Sequence, residues 1–200
     1  MFHYPIGFHY IENHMKNIER NIIEYVNATP SDSSLVGWTF LTAMGLDSGR
    51  FPNLEEVVLR EDTLYSWKNA RIAVCDGRKA GCLIAYSGND YVAMRDRTWS
   101  LLTDISREDL EKMEPEAFPG EYYLDSLAVL PEFRGSGIGG ALIRDSLRRA
   151  SAEGFACATL ICEAESHHDA LRRYYSSLGF CEYAEMTFFG TLFKRMRCML

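Results

Sequence analysis

Four glycines within six residues, Gly135, Gly137, Gly139 and Gly140, constrain this chain more than anything else in it. They follow a short, mostly apolar run from Leu124 to Val129, which suits a buried strand. Pro131 ends that strand, because proline has no N–H to give a ladder. A helical pattern follows, with Ile138, Leu142, Leu147 and Ala150 on one face and Arg144, Arg148 and Arg149 on the other. Strand, glycine turn and helix start, in that order, leave several backbone N–H groups without intrahelical partners at the positive end of the helix dipole. Such a place binds anions, most often phosphate.

Spacing narrows the kind of phosphate site. A P-loop needs Lys and then Ser or Thr after its last glycine, whereas Ala141 and Leu142 stand here. A dinucleotide fingerprint is formally present at Gly135, Gly137 and Gly140, with Glu163 as a possible ribose-binding acid. Yet Pro131 to Arg134 separate the strand from the glycines, and too little chain follows Glu163 to complete a doubly wound sheet.

Arg134-Gly-Ser-Gly137-Ile-Gly139 resembles the Arg/Gln-x-x-Gly-x-Gly/Ala pyrophosphate loop of the GNAT N-acetyltransferase superfamily, and Leu-Ala-Val-Leu-Pro-Glu-Phe before it resembles that family's central strand and exit. Tyr174-Tyr175-Ser-Ser-Leu-Gly-Phe180 is similar to the family's Phe-Tyr-x-x-Leu-Gly-Phe segment. Both occur in the family's order, with a helix and a strand between them. The resemblance implies an α/β GNAT fold: a mixed six- to seven-stranded sheet flanked by helices. It implies an acetyl-CoA-dependent N-acetyltransferase that moves acetyl to a primary amine by direct attack in a ternary complex. The rivals are a non-catalytic acyl-CoA-binding module of the same fold and a transferase of another acyl group.

Composition agrees with a single sizeable core, since 47% of the 200 residues are hydrophobic. The formal charge of −7 argues against non-specific nucleic-acid binding, which needs a basic footprint. No apolar run is long enough to span a bilayer. Cys75, Cys82, Cys157, Cys162, Cys181 and Cys198 form no Cys-x-x-Cys pair and several lie in apolar runs, so they read as reduced core residues of a cytoplasmic protein. Residues 1–20 read as an N-terminal extension rather than a secretory signal. Its His3, His9 and His14 lack the Cys or carboxylate pattern of a metal site, so no metal is expected.

The domain is expected over residues 21–200. A strand over Asn21–Ala28 leads through Thr29-Pro-Ser-Asp32, good helix-capping residues, to a helix at about Ser33–Met44. A second helix is expected at about Leu54–Trp67. Trp38, Phe40 and Phe51 are candidates for either acceptor contact or core. Asp76-Gly77 between apolar runs predicts a hairpin. Residues 87–121 form an acidic helical insertion, with helices at about Asp90–Leu102 and Ser106–Met113, that is a candidate lid for a cationic amine. After the glycine loop come a helix to about Glu153, a parallel strand at Ala156–Cys162, a helix at Asp169–Leu178 and a hairpin of Phe180–Thr187 with Thr191–Met199 about Phe189-Gly190.

Site roles follow from the resemblance. The backbone of Gly135, Ser136, Gly137, Ile138, Gly139 and Gly140, with Arg134, would hold the pyrophosphate of acetyl-CoA. Leu127, Ala128 and Val129 would run beside its pantetheine arm. His168 stands where many members have an Asn that contacts that arm, and His167–His168 are also candidates for a general base. Tyr175 would donate to the departing thiolate, since a phenol near pKa ~10 is protonated at neutral pH. Asp125 and Glu121 are candidates to take the amine's proton, Asp125 on the expectation that it shares a strand face with Leu127. The acceptor would be a small-molecule or peptide amine, and a homodimer is possible in such a family.

Overall fold

The computed structural model describes residues 23–188 and 190–200. The N-terminal extension over 1–20 and Phe189 of the last turn lie outside these residues.

Asp32 begins the ordering of the chain. Its carboxylate accepts the Thr29 N–H at 2.8 Å and the Thr29 hydroxyl at 2.8 Å, turning strand β1 (Ile23–Asn27) into helix α1 (Ser33–Ala43). Helix α2 is only Leu54–Leu59, shorter than expected. The chain becomes extended at Arg60, and the Thr63 hydroxyl folds back to the Val57 carbonyl at 2.7 Å. That bond uses a carbonyl at the helix end and turns the chain away from further helix.

Strands β2 (Ala70–Cys75) and β3 (Arg78–Ser87) form the predicted hairpin. Asp76 and Gly77 have φ of 49° and 75°, the left-handed pair that a two-residue turn of this kind requires. The insertion carries α3 (Tyr91–Leu102) and α4 (Arg107–Lys112) before β4 (Glu121–Val129). Then follow α5 (Ile138–Ala152), β5 (Cys157–Glu163), α6 (Asp169–Ser177), β6 (Cys181–Phe188) and β7 (Thr191–Met199).

The seven strands lie in the order β1-β2-β3-β4-β5-β7-β6. Among the described residues, β4 and β5 form the one parallel pair, joined through α5. One cluster of buried residues gathers Val36, Phe40, Val57, Ile84 and Tyr123. The other gathers Ile138, Leu142, Ile143, Leu160, Phe180 and Met196. Each such side chain contributes about 2 kcal/mol by leaving water. Phe40 and Phe51 belong to the first cluster, Phe40 fully buried and Phe51 also lining the groove beside it. Trp38 stays half-buried and lines an outer groove of ≈ 310 Å³ with Leu41 and Phe51.

The insertion is closed at its neck by backbone packing. A Cβ on Gly88 would stand 2.1 Å from the Phe118 carbonyl oxygen, so no side chain fits there. The Gly120 N–H donates to the Asn89 side chain at 2.8 Å beside it. Gly88→Ala is therefore expected to destabilise the fold by about 2–3 kcal/mol. Chemical denaturation checks this, and an unchanged midpoint would mean that the neck yields freely.

Candidate active site

Two departures from regular sheet geometry build the site. First, β4 and β5 pair only from Glu121↔Cys157 to Tyr123↔Thr159, although both strands continue. Beyond Tyr123 they separate, and β4 loses its partner on that side. The backbone of Leu124 to Val129, including the expected Leu127, Ala128 and Val129, has no ladder partner on the β5 side. Second, β4 bulges against β3. Ser126 faces Ile84 while Leu124 faces Ala85, so Asp125 is the extra residue.

The bulge corrects the expected face of Asp125. Strict alternation puts Asp125 with Leu127. The extra residue instead turns the Asp125 carboxylate to Tyr86, whose hydroxyl donates to it at 2.5 Å, while Leu127 packs in the other cluster. Ser126 Oγ donates to its second oxygen at 2.6 Å. Both residues nevertheless reach the split. A cavity of ≈ 30 Å³ there is lined by Leu83, Leu124, Asp125, Leu127, Ile161 and Tyr175 among others. The fold therefore brings the two proposed catalytic side chains, Asp125 and Tyr175, to one narrow slot.

Tyr175 lies on α6 and packs edge-on to Phe180 with ring centroids 6.1 Å apart. Burial, with the neighbouring Cys162 and Tyr174 adding to it, pushes its phenol up to about 12. It remains a donor at any physiological pH.

Above the slot, α5 starts at Ile138 behind Gly137, whose φ of 83° suits glycine alone. The first bond of this helix runs from the Ala141 N–H to the Gly137 carbonyl at 3.1 Å, so the N–H groups of Ile138, Gly139 and Gly140 precede the ladder. Ile138 is buried at its side chain and offers only backbone. Arg134 and Ser136 brace the loop: Arg134 Nε donates to the Val129 carbonyl at 3.1 Å, and the Ser136 hydroxyl donates to the Phe133 carbonyl. A Cβ on Gly140 would stand 2.8 Å from the Tyr174 hydroxyl. The two motifs thus meet in space, with the Tyr174 hydroxyl beside the glycine turn.

His168 stands half-buried at the start of α6, without a side-chain capping bond, and its Nε2 lies 3.0 Å from a Glu163 oxygen. Glu121 sits outside the slot lining. It accepts the Phe118 N–H at 3.1 Å and the Thr159 hydroxyl at 3.1 Å, a brace where β4 meets β5.

Sequence reasoning missed the importance of Glu116. Tyr91 and Tyr123 donate to its two oxygens at 3.0 and 2.8 Å, and their rings lie 6.4 and 5.7 Å from that of Tyr86. Burial first, and the Asp125 charge second, push the Glu116 carboxyl up toward neutrality against the hydrogen bonds from Tyr123 and Tyr91 and the charge of Arg195. Burial likewise raises Asp125, against the bonds from Ser126 and Tyr86. The Arg195 guanidinium, 4% exposed, donates to the carbonyls of Pro115 and Glu116 and fixes this stretch. The other acids of the insertion differ: Glu108 and Glu111 pair with Lys112 and Arg107 in solvent. No local pattern separates Glu116 from them, because its burial comes from strands distant in sequence.

Comparison with known proteins follows this geometry. A family model described as the acetyltransferase (GNAT) family matches residues 46–180. No protein of curated function matches the sequence significantly. A crystal structure of an acetyltransferase is 23% identical, with 88% of this chain and 98% of that chain covered and a TM-score of 0.68. An N-acetyltransferase from Staphylococcus aureus Mu50 is 20% identical, covering 87% and 99%, with a TM-score of 0.68. The ribosomal-protein-S18-alanine N-acetyltransferase from Escherichia coli is 16% identical, covering 89% and 94%, with a TM-score of 0.57. These structures share the fold. With the family model spanning well over half of the residues, this chain belongs to the GNAT acetyltransferase family.

Proposed function

We propose that the protein transfers acetyl from acetyl-CoA to a primary amine by direct attack in a ternary complex. The observation that carries this reading is the single slot where β4 and β5 part, lined by both Asp125 and Tyr175 and lying below the glycine-rich helix start. The loop backbone would hold the pyrophosphate, because bare N–H groups and the helix dipole favour it. The open edge of β4 would align the arm and deliver the thioester into the slot.

The chemistry then needs a base for the ammonium group and an acid for the leaving sulfur. Asp125 takes a proton from the incoming ammonium group. The freed amine nitrogen forms a bond to the thioester carbonyl carbon, and a β4 backbone N–H steadies the oxyanion. The C–S bond breaks as the intermediate collapses, and the Tyr175 hydroxyl donates to the leaving sulfur. The amide nitrogen's surplus proton restores the Tyr175 phenol, and Asp125 releases its proton to solvent, so one proton leaves per turnover.

A free-thiol assay with acetyl-CoA and a panel of amines tests the proposal. The set should include alkyl polyamines, amino acids, peptide N-termini and protein lysines. At least one amine is expected to release CoA in equal amount to its acetylated product. Binding of acetyl-CoA with no transfer to any amine would instead favour a binding module. Calorimetry showing no acetyl-CoA binding would overturn the reading.

A further inference from the structure

We propose that Glu163, His167 and His168 hold one divalent ion of the zinc class at the open end of the slot. Among the described residues, one donor atom from each of these three lies within 4.8 Å of the other two. The two imidazole rings are 4.1 Å apart, and His168 Nε2 is 3.0 Å from Glu163. His168 faces the Glu163 carboxylate directly, and the adjacent His167 ring brings a second imidazole nitrogen within 4.8 Å of both. Glu165 lies 3.2 Å from His167 Nδ1, the kind of carboxylate partner that orients a ligating histidine.

The donors sit on a braced turn. The Arg172 guanidinium, 12% exposed, donates to the carbonyls of Glu163 and Glu165 and pairs with Asp169. The Ala164 N–H is held by the Leu192 carbonyl at 2.9 Å. Backbone fixed on both sides lowers the ordering cost of closing a site. Two imidazoles and one carboxylate suit Zn²⁺, Co²⁺ or Ni²⁺ rather than Mg²⁺ or Ca²⁺, which take oxygen donors. Three protein ligands leave a position for water.

Its place in the fold matters. Ile161 lines the slot, and Glu163 follows two residues on, on the same face of β5 and about 7 Å further along. His168 stands at the start of α6, the helix that carries Tyr175. An ion there would tie the end of β5 to the start of α6. This inference stands on the turn's geometry and does not depend on acetyl transfer.

Co²⁺ titration of the full-length protein, followed by its visible d–d absorption, tests the site. One equivalent is expected to bind with the intense band of a low-coordinate nitrogen–oxygen site. Saturating Zn²⁺ at about 100 times its Kd is expected to raise Tm by roughly 5–10 °C. His167→Ala combined with His168→Ala should weaken binding at least about 100-fold and abolish the Tm rise, each variant being compared with its own metal-free Tm. His3→Ala, His9→Ala and His14→Ala together should keep the band, which separates this turn from the N-terminal histidines. The proposal fails if the wild type shows no such band, if the band survives the double variant, or if it disappears with the N-terminal histidines.

Discussion

Asp125→Asn is expected to lower turnover by about 100- to 10,000-fold while leaving acetyl-CoA affinity within about threefold. Asparagine keeps the shape and still accepts the Tyr86 hydroxyl through its carbonyl oxygen, so the bulge and slot persist. What disappears is the group that takes the ammonium proton. The variant should then depend on amine deprotonated in solution, and its rate should climb about tenfold per pH unit until the amine's own pKa. Near-normal turnover at neutral pH would remove Asp125 from the mechanism.

The neighbouring carboxylate adds a second, more discriminating readout. Asp125 and Glu116 lie among Tyr65, Tyr86, Tyr91 and Tyr123, with Ser126 donating to Asp125 and Arg195 the cation facing Glu116. Burial, joined by the two carboxylate charges, raises the phenols of Tyr65, Tyr86 and Tyr123 well above their usual value, so they stay protonated and donate. A base works only when ionised, so wild-type activity should rise with pH through the raised range of the carboxylate pair. The Asp125 charge is the second cause that raises Glu116, after burial, so Asp125→Asn should also let the Glu116 carboxyl ionise at lower pH. A carboxyl-carbon NMR titration of Glu116 in the wild type and the variant reads this. An unmoved Glu116 would show that the two carboxylates do not titrate together.

Much of this architecture was legible because local chemistry dictates it. Asp76-Gly77 can supply two left-handed residues, and the hairpin forms there. Gly137 and Gly154 bracket α5, both in left-handed conformations that side chains disfavour. The glycine loop and the tyrosine segment were each visible, but the close approach of the Tyr174 hydroxyl to Gly140 was not. Three further features were not legible. Helix α2 stops at Leu59 because Thr63 competes for a carbonyl, although the residues beyond it have ordinary helix propensity. The bulge at Asp125 depends on the register of β3, which no pattern within β4 records. Glu116 is one acid among several until Arg195, far along the chain, takes hold of its backbone. Local rules find turns and caps; long-range pairing decides which carboxylate is buried.

Tyr175→Phe is expected to reduce kcat by about 100- to 1,000-fold, with the KM for acetyl-CoA changed by less than about threefold. The substitution removes a single oxygen. The ring stays edge-on to Phe180, so stability should change by no more than about 1 kcal/mol. Loss confined to kcat is the signature of an interaction made in the transition state alone, when negative charge gathers on sulfur. A phenol that merely packed beneath the arm would raise KM instead. The pH profile separates these cases further. Burial carries the Tyr175 phenol up to about 12, so its deprotonation cannot cause any loss of wild-type activity below about pH 10. An alkaline fall near pH 9 in the wild type that vanished in Tyr175→Phe would contradict that environment. Wild-type turnover in the variant would contradict the donor role itself, and leave the slot's backbone and Asp125 to carry the reaction.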